Sequence, residues 1–562
     1  MTALISNRKV PPSGPEDAEI LIIGEAPGYE EDKELIPFIG DAGKELNRGL
    51  AVAGFDRNNI RVTNVCNYRP NNNKFELLED TWQLQEGIND VKEFIETHKS
   101  TLKFVVLCGG KPLEYIGRKH GIDKWRSSVI EESGVKFFCS YHPSAIIRDR
   151  SLYSTFTFDF RKLYRYVKEG YRKPEYRFNI NPTGTDREEA LRELESHGRL
   201  YIDIESVKGT THILCCGFAS SPTEATVFSN SNFGFLDFEF HSSLSRILEN
   251  PKIEKFYHNG FGYDIEVLRL NGINVQNYVY DTMIGAHVLE PELPYSLAYL
   301  TTLYTDQAYY KDKGKSAIPD DEEKGWSEKV DRQTLYEYNA TDCVVTAKVA
   351  IEQIKEINER KLWRTYNYKA SLIPLGQELS RNGLEVFQEQ RELLREAVKL
   401  KWKYYQEILN GIAGFKVNAK SPKHMTKLLL EQFGLPERRN RNAGITFDED
   451  AIVSYFSFIQ AKIDESKREA TIEQWTLRLA ACKCILLIRG FRQLISNYVK
   501  VKISSDNRLR SVYNLSAATE TGRGSSHKWV DGTGLNAQTF PRERLELDDF
   551  EVELLKKKGF LL

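Results

Sequence analysis

Several things are missing from this chain, and each absence narrows it. Among its 562 residues, 78 lysines and arginines stand against 80 aspartates and glutamates, for a net charge of -2. With no basic excess, any hold on a polyanion must come from local patches rather than the field of the whole molecule. No apolar run approaches the roughly 20 residues of a membrane span, and Met1 to Pro15 has no signal-peptide core. A cytoplasmic protein with no membrane partner is expected. The eight cysteines are scattered, and no Cys-x-x-Cys occurs. Cys215 and Cys216 are adjacent, while Cys482 and Cys484 lie two apart on a predicted helix and so point to different faces. A zinc site or disulfide framework is not expected, and the thiols read as reduced and mostly buried.

Against these absences stand 41% hydrophobic and 28% charged residues, a soluble globular balance with room for three or four domains. The apolar run Tyr201 to Glu205 carries Asp203 and Glu205. In a strand these two carboxylates share a face, with Ile202 and Ile204 turned to the core. Downstream lie His258-Asn259-Gly260-Phe261-Gly262-Tyr263-Asp264 and, in a predicted helix over 333–352, Tyr338-Asn339-Ala340-Thr341-Asp342. Four residues apart on a helix, Tyr338 and Asp342 share a face.

Asp-x-Glu, then Asn-x(4)-Asp, then Tyr-x-x-x-Asp resembles the DEDD 3′-5′ exonucleases of the Tyr subtype, as carried by family A DNA polymerases. The resemblance implies a ribonuclease-H-like fold. It also implies that Asp203, Glu205, Asp264 and Asp342 bind two Mg²⁺ or Mn²⁺ ions at the 3′ end of a strand, with Tyr338 orienting the attacking water. Asp281 sits where such domains often have another acid, and a cap for the following helix explains it equally well.

Nearer the N-terminus, the β-rich run Glu19 to Ile23 empties into Gly24-Glu25-Ala26-Pro27-Gly28. Then come Ile36-Pro37-Phe38-Ile39-Gly40-Asp41-Ala42-Gly43, Val62-Thr63-Asn64-Val65-Cys66-Asn67, Phe104 to Gly110 and Tyr141-His142-Pro143-Ser144. In this order the motifs resemble the uracil-DNA glycosylase superfamily, most closely family 4, over roughly residues 16–168. The resemblance implies an α/β/α domain that flips a base and reads its edge. Phe38 would stack on uracil, Asn64 would bond its edge, and Gly24, Ala26 and Pro27 would line its pocket. His142 would stabilise the leaving uracilate, and Glu25 would position water or stabilise the sugar cation. Family 4 members usually hold an iron-sulfur cluster on four cysteines. Here Cys66 alone occupies a matching position, so no cluster is expected.

Residues 170–185 lack sustained periodicity and read as a linker, followed by a helix over 186–195. From Thr346 onward the pattern is helical, with amphipathic stretches over 388–409 and 472–499 and a Ser421-Pro422 helix start. Thr519 to Ser526 and Leu535 to Arg542 resemble the family A segment joining thumb to palm, with residues 527–534 as an insertion. This implies phosphate contacts from Arg523, Ser525 and Ser526, with Asn536 and Gln538 near the minor groove. The palm motifs Asp-x-Ser-Gln-x-Glu and His-Asp-Glu do not occur.

The expected fold is therefore multidomain, α/β plus mainly α. It comprises a glycosylase-like domain over 1–170, an exonuclease over 186–355, and a helical polymerase thumb with the start of the palm over 356–562. The expected function is the proofreading portion of a phage-type family A DNA polymerase, with primer-template DNA and single-stranded 3′ ends as partners. Palm and fingers would come from a second polypeptide. A free-standing repair protein that excises uracil and trims 3′ ends, and a uracil-sensing DNA-binding module, are the alternatives.

Overall fold

The computed structural model describes residues 5–230, 236–317, 331–440, 444–517, 519, 521–536, 552–553 and 556–557. They gather in two compact units, one built on Met1–Ser371 with Thr519–Gly522 and the other on Leu372–Ala518 and Arg523–Leu562. The N-terminal and middle domains both fall in the first unit.

The N-terminal sheet has the order β2-β1-β3-β5-β4, from strands β1 (Ile20–Gly24), β2 (Arg61–Asn64), β3 (Phe104–Cys108), β4 (Val129–Glu132) and β5 (Val135–Ser140). All pairs are parallel except β4 with β5. β1 and β3 are buried end to end, because alternate residues feed two cores. Ile20, Ile22, Phe104 and Val106 meet Leu46 and Leu50 of helix α1 (Asp41–Ala53). On the opposite face, Leu21, Ile23, Val105 and Leu107 meet Leu84, Ile88 and Val91 of α2 (Trp82–His98). Helix α3 (Tyr153–Glu169) closes the first face with Phe156, Phe160 and Leu163.

The middle domain is a six-stranded mixed sheet of order β11-β10-β7-β8-β9-β6. Its strands are β6 (Arg177–Ile180), β7 (Arg199–Ser206), β8 (Ile213–Ser221), β9 (Glu224–Ser229), β10 (Glu254–Tyr257) and β11 (Tyr278–Asp281). β6 corrects the linker expected over 170–185. It pairs parallel with β9 as an edge strand whose residues alternate between exposed and half-buried. Four residues are too short a run for periodicity to stand out from a loop. Helices α4 (Leu297–Tyr304), α5 (Lys311–Ala317) and α6 (Arg332–Glu359) follow. α6 lies across β7 and β8. Gly217 of β8 permits this approach, since a Cβ there would sit 2.5 Å from Asn339 Oδ1 and 2.7 Å from Cys343 Sγ.

The second unit is mainly helical, with α7 (Gln388–Ala413), α8 (Glu449–Asp464) and α9 (Glu469–Leu494) around Leu409, Leu429, Ile452, Ile459, Leu479 and Ile485. Cys482 and Cys484 leave α9 in different directions, yet both are fully buried. Among the described residues no helix is long and apolar enough to cross a membrane.

Candidate active sites

Along β7 the pleat presents Asp203 and Glu205 on one face, while Ile202 and Ile204 are buried on the other. The polar face looks toward α6, and there Asp342 completes a group whose ligand oxygens all lie within 4.8 Å of one another. Asn339, one turn before Asp342, donates its amide to the Asp203 backbone oxygen at 3.1 Å and to Oδ2 at 2.8 Å. Asp264 opens the helix Asp264–Leu270, and its Oδ1 accepts the Ile204 N–H at 3.2 Å, which holds it beside the cluster but outside that group of three. Burial, then repulsion from Glu205 and Asp342, pushes Asp203 well above the usual carboxylate range. Glu205 and Asp264 are raised too, again chiefly by burial, with Asp342 adding to both. Acids this crowded ionise together only beside a cation. An all-oxygen donor set suits Mg²⁺ or Mn²⁺. Tyr338 stays protonated, because burial and Asp342 raise its phenol far above the ordinary value.

Asp281 settles as a structural acid. Its carboxylate accepts from Asn259 N–H (3.0 Å), Gly260 N–H (2.9 Å), Met283 N–H (2.8 Å) and Tyr278 O–H (2.7 Å). Those bonds fold the loop that leads to Asp264 and cap the next helix.

At the C-terminal ends of β1, β2 and β5, a cleft of about 390 Å³ is lined by Glu25, Ala26, Pro27, Phe38, Asn64 and His142, among others. This is where parallel α/β sheets bind ligands. Gly24 ends β1 opposite Asn64, where a Cβ would lie 2.5 Å from the Phe38 ring and 2.6 Å from Asn64 Oδ1. Phe38 holds a left-handed φ of 58°, a conformation costly for a bulky residue that sets its ring near His142, 6.1 Å between centroids. His142 is fixed by Ser144, whose backbone N–H donates to Nδ1 at 3.2 Å and whose Oγ lies 2.8 Å from it. Nδ1 is therefore the acceptor and Nε2 carries the proton in the neutral ring. Burial and the nearby Arg148 hold the His142 pKa down to about 4. Burial raises Glu25, with Arg148 and the Lys111 N–H pulling against it.

A profile of the uracil DNA glycosylase superfamily matches residues 11–168. The type-4 uracil-DNA glycosylase of Archaeoglobus fulgidus is 31% identical over 27% of this chain and 79% of that enzyme. The chain belongs to the uracil-DNA glycosylase superfamily. A 3′-5′ exonuclease profile matches residues 180–357, so the glycosylase domain is fused to an exonuclease domain. The DNA polymerase of Bacillus phage SP01 is 24% identical and covers 97% of this chain, which spans 65% of the phage protein's length. DNA polymerase I of Bacillus subtilis is 25% identical over 49% of this chain and 28% of that protein.

In the glycosylase domain, Cys66 is buried with its thiol on the Tyr68 carbonyl, and burial pushes its pKa up to about 11. The sequence did not single out Gly109 as a site residue. Its φ is 103°, and a Cβ there would lie 2.8 Å from Glu25 Oε1 and 2.9 Å from the His142 Cβ. Glu31, missed as well, accepts the Gly40 N–H at 3.1 Å and so ties down the loop after Phe38. In the exonuclease domain, Tyr310 and Lys311 both reach Asp342, and no motif signalled either. Toward the C-terminus, Ser525–Lys528 forms a strand antiparallel to Ser511–Asn514. Ser525 is half-buried, while Ser526 is buried and donates its hydroxyl to Asn536 Oδ1 at 2.8 Å. Arg523 stands two residues before this strand, and Gln538 lies outside the described residues.

Proposed function

We propose that the protein processes DNA at two independent hydrolytic sites, excising uracil in the glycosylase domain and trimming 3′ ends in the exonuclease domain, in the service of a DNA polymerase. The observation that carries this is the convergence of Asp203, Glu205 and Asp342 within 4.8 Å, with Tyr338 one helical turn before Asp342.

In the exonuclease, Asp203, Glu205, Asp342 and the adjoining Asp264 would hold the metal. Two divalent ions bound there would supply an activated water and a charge partner for the leaving 3′ oxygen. Tyr338 orients that water through its protonated phenol. Water attacks phosphorus, the P–O3′ bond breaks, and a proton passes to the 3′ oxygen.

In the glycosylase, Phe38 stacks on the flipped base and Asn64 bonds its edge, within the pocket floored by Gly24, Ala26 and Pro27. The bond between N1 of the base and C1′ of the sugar breaks, the electron pair leaves with uracil, and the neutral His142 donates from Nε2 to the developing oxyanion. Glu25 faces the cationic sugar and guides water to C1′. The cysteine departure supports a domain braced without an iron-sulfur cluster. Arg523, Ser525 and Gln538 are proposed as the thumb's DNA contacts, with buried Ser526 and its acceptor Asn536 shaping the segment that carries them.

The test is a 5′-labelled single strand with one internal uracil, incubated with the protein in EDTA and then treated with alkali. Cleavage at the uracil supports two sites on one chain, since chelation silences only the metal-dependent one. No cleavage, with 3′ trimming restored by Mg²⁺, would make the glycosylase domain a uracil reader. Failure to trim in Mg²⁺ would remove the exonuclease.

A further inference from the structure

Four consecutive residues, Tyr309 to Asp312, alternate between the two domains of the first unit. The Tyr309 N–H donates to Ser128 Oγ of the glycosylase domain at 3.1 Å, and its ring meets Trp125 edge-on at 5.5 Å. Asp312 pairs with Lys124 of the same domain at 3.1 Å and also accepts the Tyr309 hydroxyl at 2.9 Å. The residues between them turn the other way. Tyr310 donates its hydroxyl to Asp342 Oδ1. Lys311 Nζ lies 2.7 and 2.6 Å from the two Asp342 oxygens and 3.1 Å from the Tyr338 hydroxyl, over the Tyr338 ring at 4.9 Å. One turn on, Gly314 packs flat against Tyr338, and a Cβ there would lie 2.3 Å from the ring.

Upstream, the strap is anchored by buried charge. Arg126, paired with Asp159 at 2.9 Å with both side chains almost fully enclosed, donates to Thr302 Oγ1 at 2.8 Å. Buried Lys162 donates to the Thr302 and Thr305 carbonyls at 2.8 Å each. Buried groups so fully bonded hold a single geometry, because losing any partner leaves a costly unpaired charge.

We propose that Lys311 is a positioning residue of the exonuclease site and that the glycosylase domain holds it there. This rests on the exonuclease reading above. Lys311 donates to the Tyr338 oxygen, which leaves the phenol proton free to be aimed at water. It also offsets charge on Asp342, so its ammonium and a divalent cation compete for the same carboxylate. The glycosylase domain then has a second task besides its cleft, since Lys124, Trp125 and Ser128 set the register of the strap.

The test uses the full chain with Lys311→Ala, Lys311→Arg and Trp125→Ala, each first checked for a wild-type melting profile. Single-turnover trimming of a single strand is measured at saturating Mn²⁺, and Mn²⁺ affinity is measured separately from the free-ion paramagnetic signal. Lys311→Ala is expected to slow trimming about tenfold or more at unchanged KM for DNA, and to tighten Mn²⁺ binding several-fold as a competing charge is removed. Lys311→Arg should recover much of both. Trp125→Ala, outside both sites, should move both quantities the same way by about threefold to fivefold, a modest coupling between distant groups.

Wild-type trimming and Mn²⁺ affinity in Lys311→Ala would overturn the proposal. Changes in Lys311→Ala with none in Trp125→Ala would overturn the role of the glycosylase domain. A wild type that trims nothing, yet gains Mn²⁺ affinity on Lys311→Ala, would sink the exonuclease reading and support the placement of Lys311.

Discussion

The glycosylase cleft and the exonuclease cluster both use burial to shift titrating groups, with opposite chemical results. Burial around His142 removes a charge, leaving a neutral donor fixed by Ser144. Burial around Asp203, Glu205 and Asp264 crowds charges that cannot all persist without a cation. The lesson is that desolvation alone does not specify chemistry. A single buried base becomes a neutral hydrogen-bond donor, and several acids buried together become a place that favours a cation.

The sharpest break between the two should come from Asp203→Ala. Trimming is expected to fall by about 10³-fold or more, several kcal/mol of lost charge stabilisation. Uracil excision in EDTA should be unaffected. Retained trimming in a gel assay would remove Asp203 from the site.

The converse cut is Gly109→Ala. Its positive φ and the contacts a Cβ would make with Glu25 and His142 predict displacement of both. Excision should fall by about 10²-fold, the scale of an ångström-sized misplacement. Trimming should hold, and an equal loss of both activities would indicate a folding defect.

A pH series sharpens the contrast next. The His142 pKa lies at about 4, below the ordinary histidine value, so the ring stays neutral as pH falls from 8 to 5. His142 should therefore contribute no change in excision over that range, and any fall toward pH 5 should come from Glu25, whose carboxyl burial raises above its ordinary value. The acids are raised instead, so they take up protons while pH is still well above the ordinary carboxylate range, and protons compete with metal. At subsaturating Mg²⁺, trimming should fall about tenfold between pH 8 and pH 6. Parallel profiles would refute the distinction.

The smallest effect belongs to Ser144→Ala. It removes the Oγ contact with His142 but keeps the backbone N–H on Nδ1. One hydrogen bond of about 1 kcal/mol predicts a several-fold loss of excision. A loss as large as that of His142→Ala would mean the hydroxyl itself acts in the chemistry.

Both sites were legible where spacing maps onto local geometry. Asp203 and Glu205 share a strand face, and Tyr338 and Asp342 share a helix face, so their pairing followed from periods of two and 3.6. The cleft residues follow sheet topology, since Gly24, Asn64 and His142 stand at or just beyond the ends of parallel strands. Asp281 was ambiguous in sequence, and only its four donors made it a cap. β6 reads as linker in the sequence because four residues alternating between exposed and half-buried carry too little pattern.

The sequence by itself determined the Asp203–Glu205 and Tyr338–Asp342 pairs, the cleft motifs and the helical character of the C-terminal third, because each depends on residues close together in the chain. Only the tertiary structure decided that the first two domains fall in one unit, and that Tyr309 to Asp312 thread between them to carry Lys311 onto Asp342. Those contacts join residues separated by 31 positions for Lys311 and Asp342 and by 188 for Lys124 and Asp312, across elements whose relative placement is set by packing. Local periodicity holds no record of such distances.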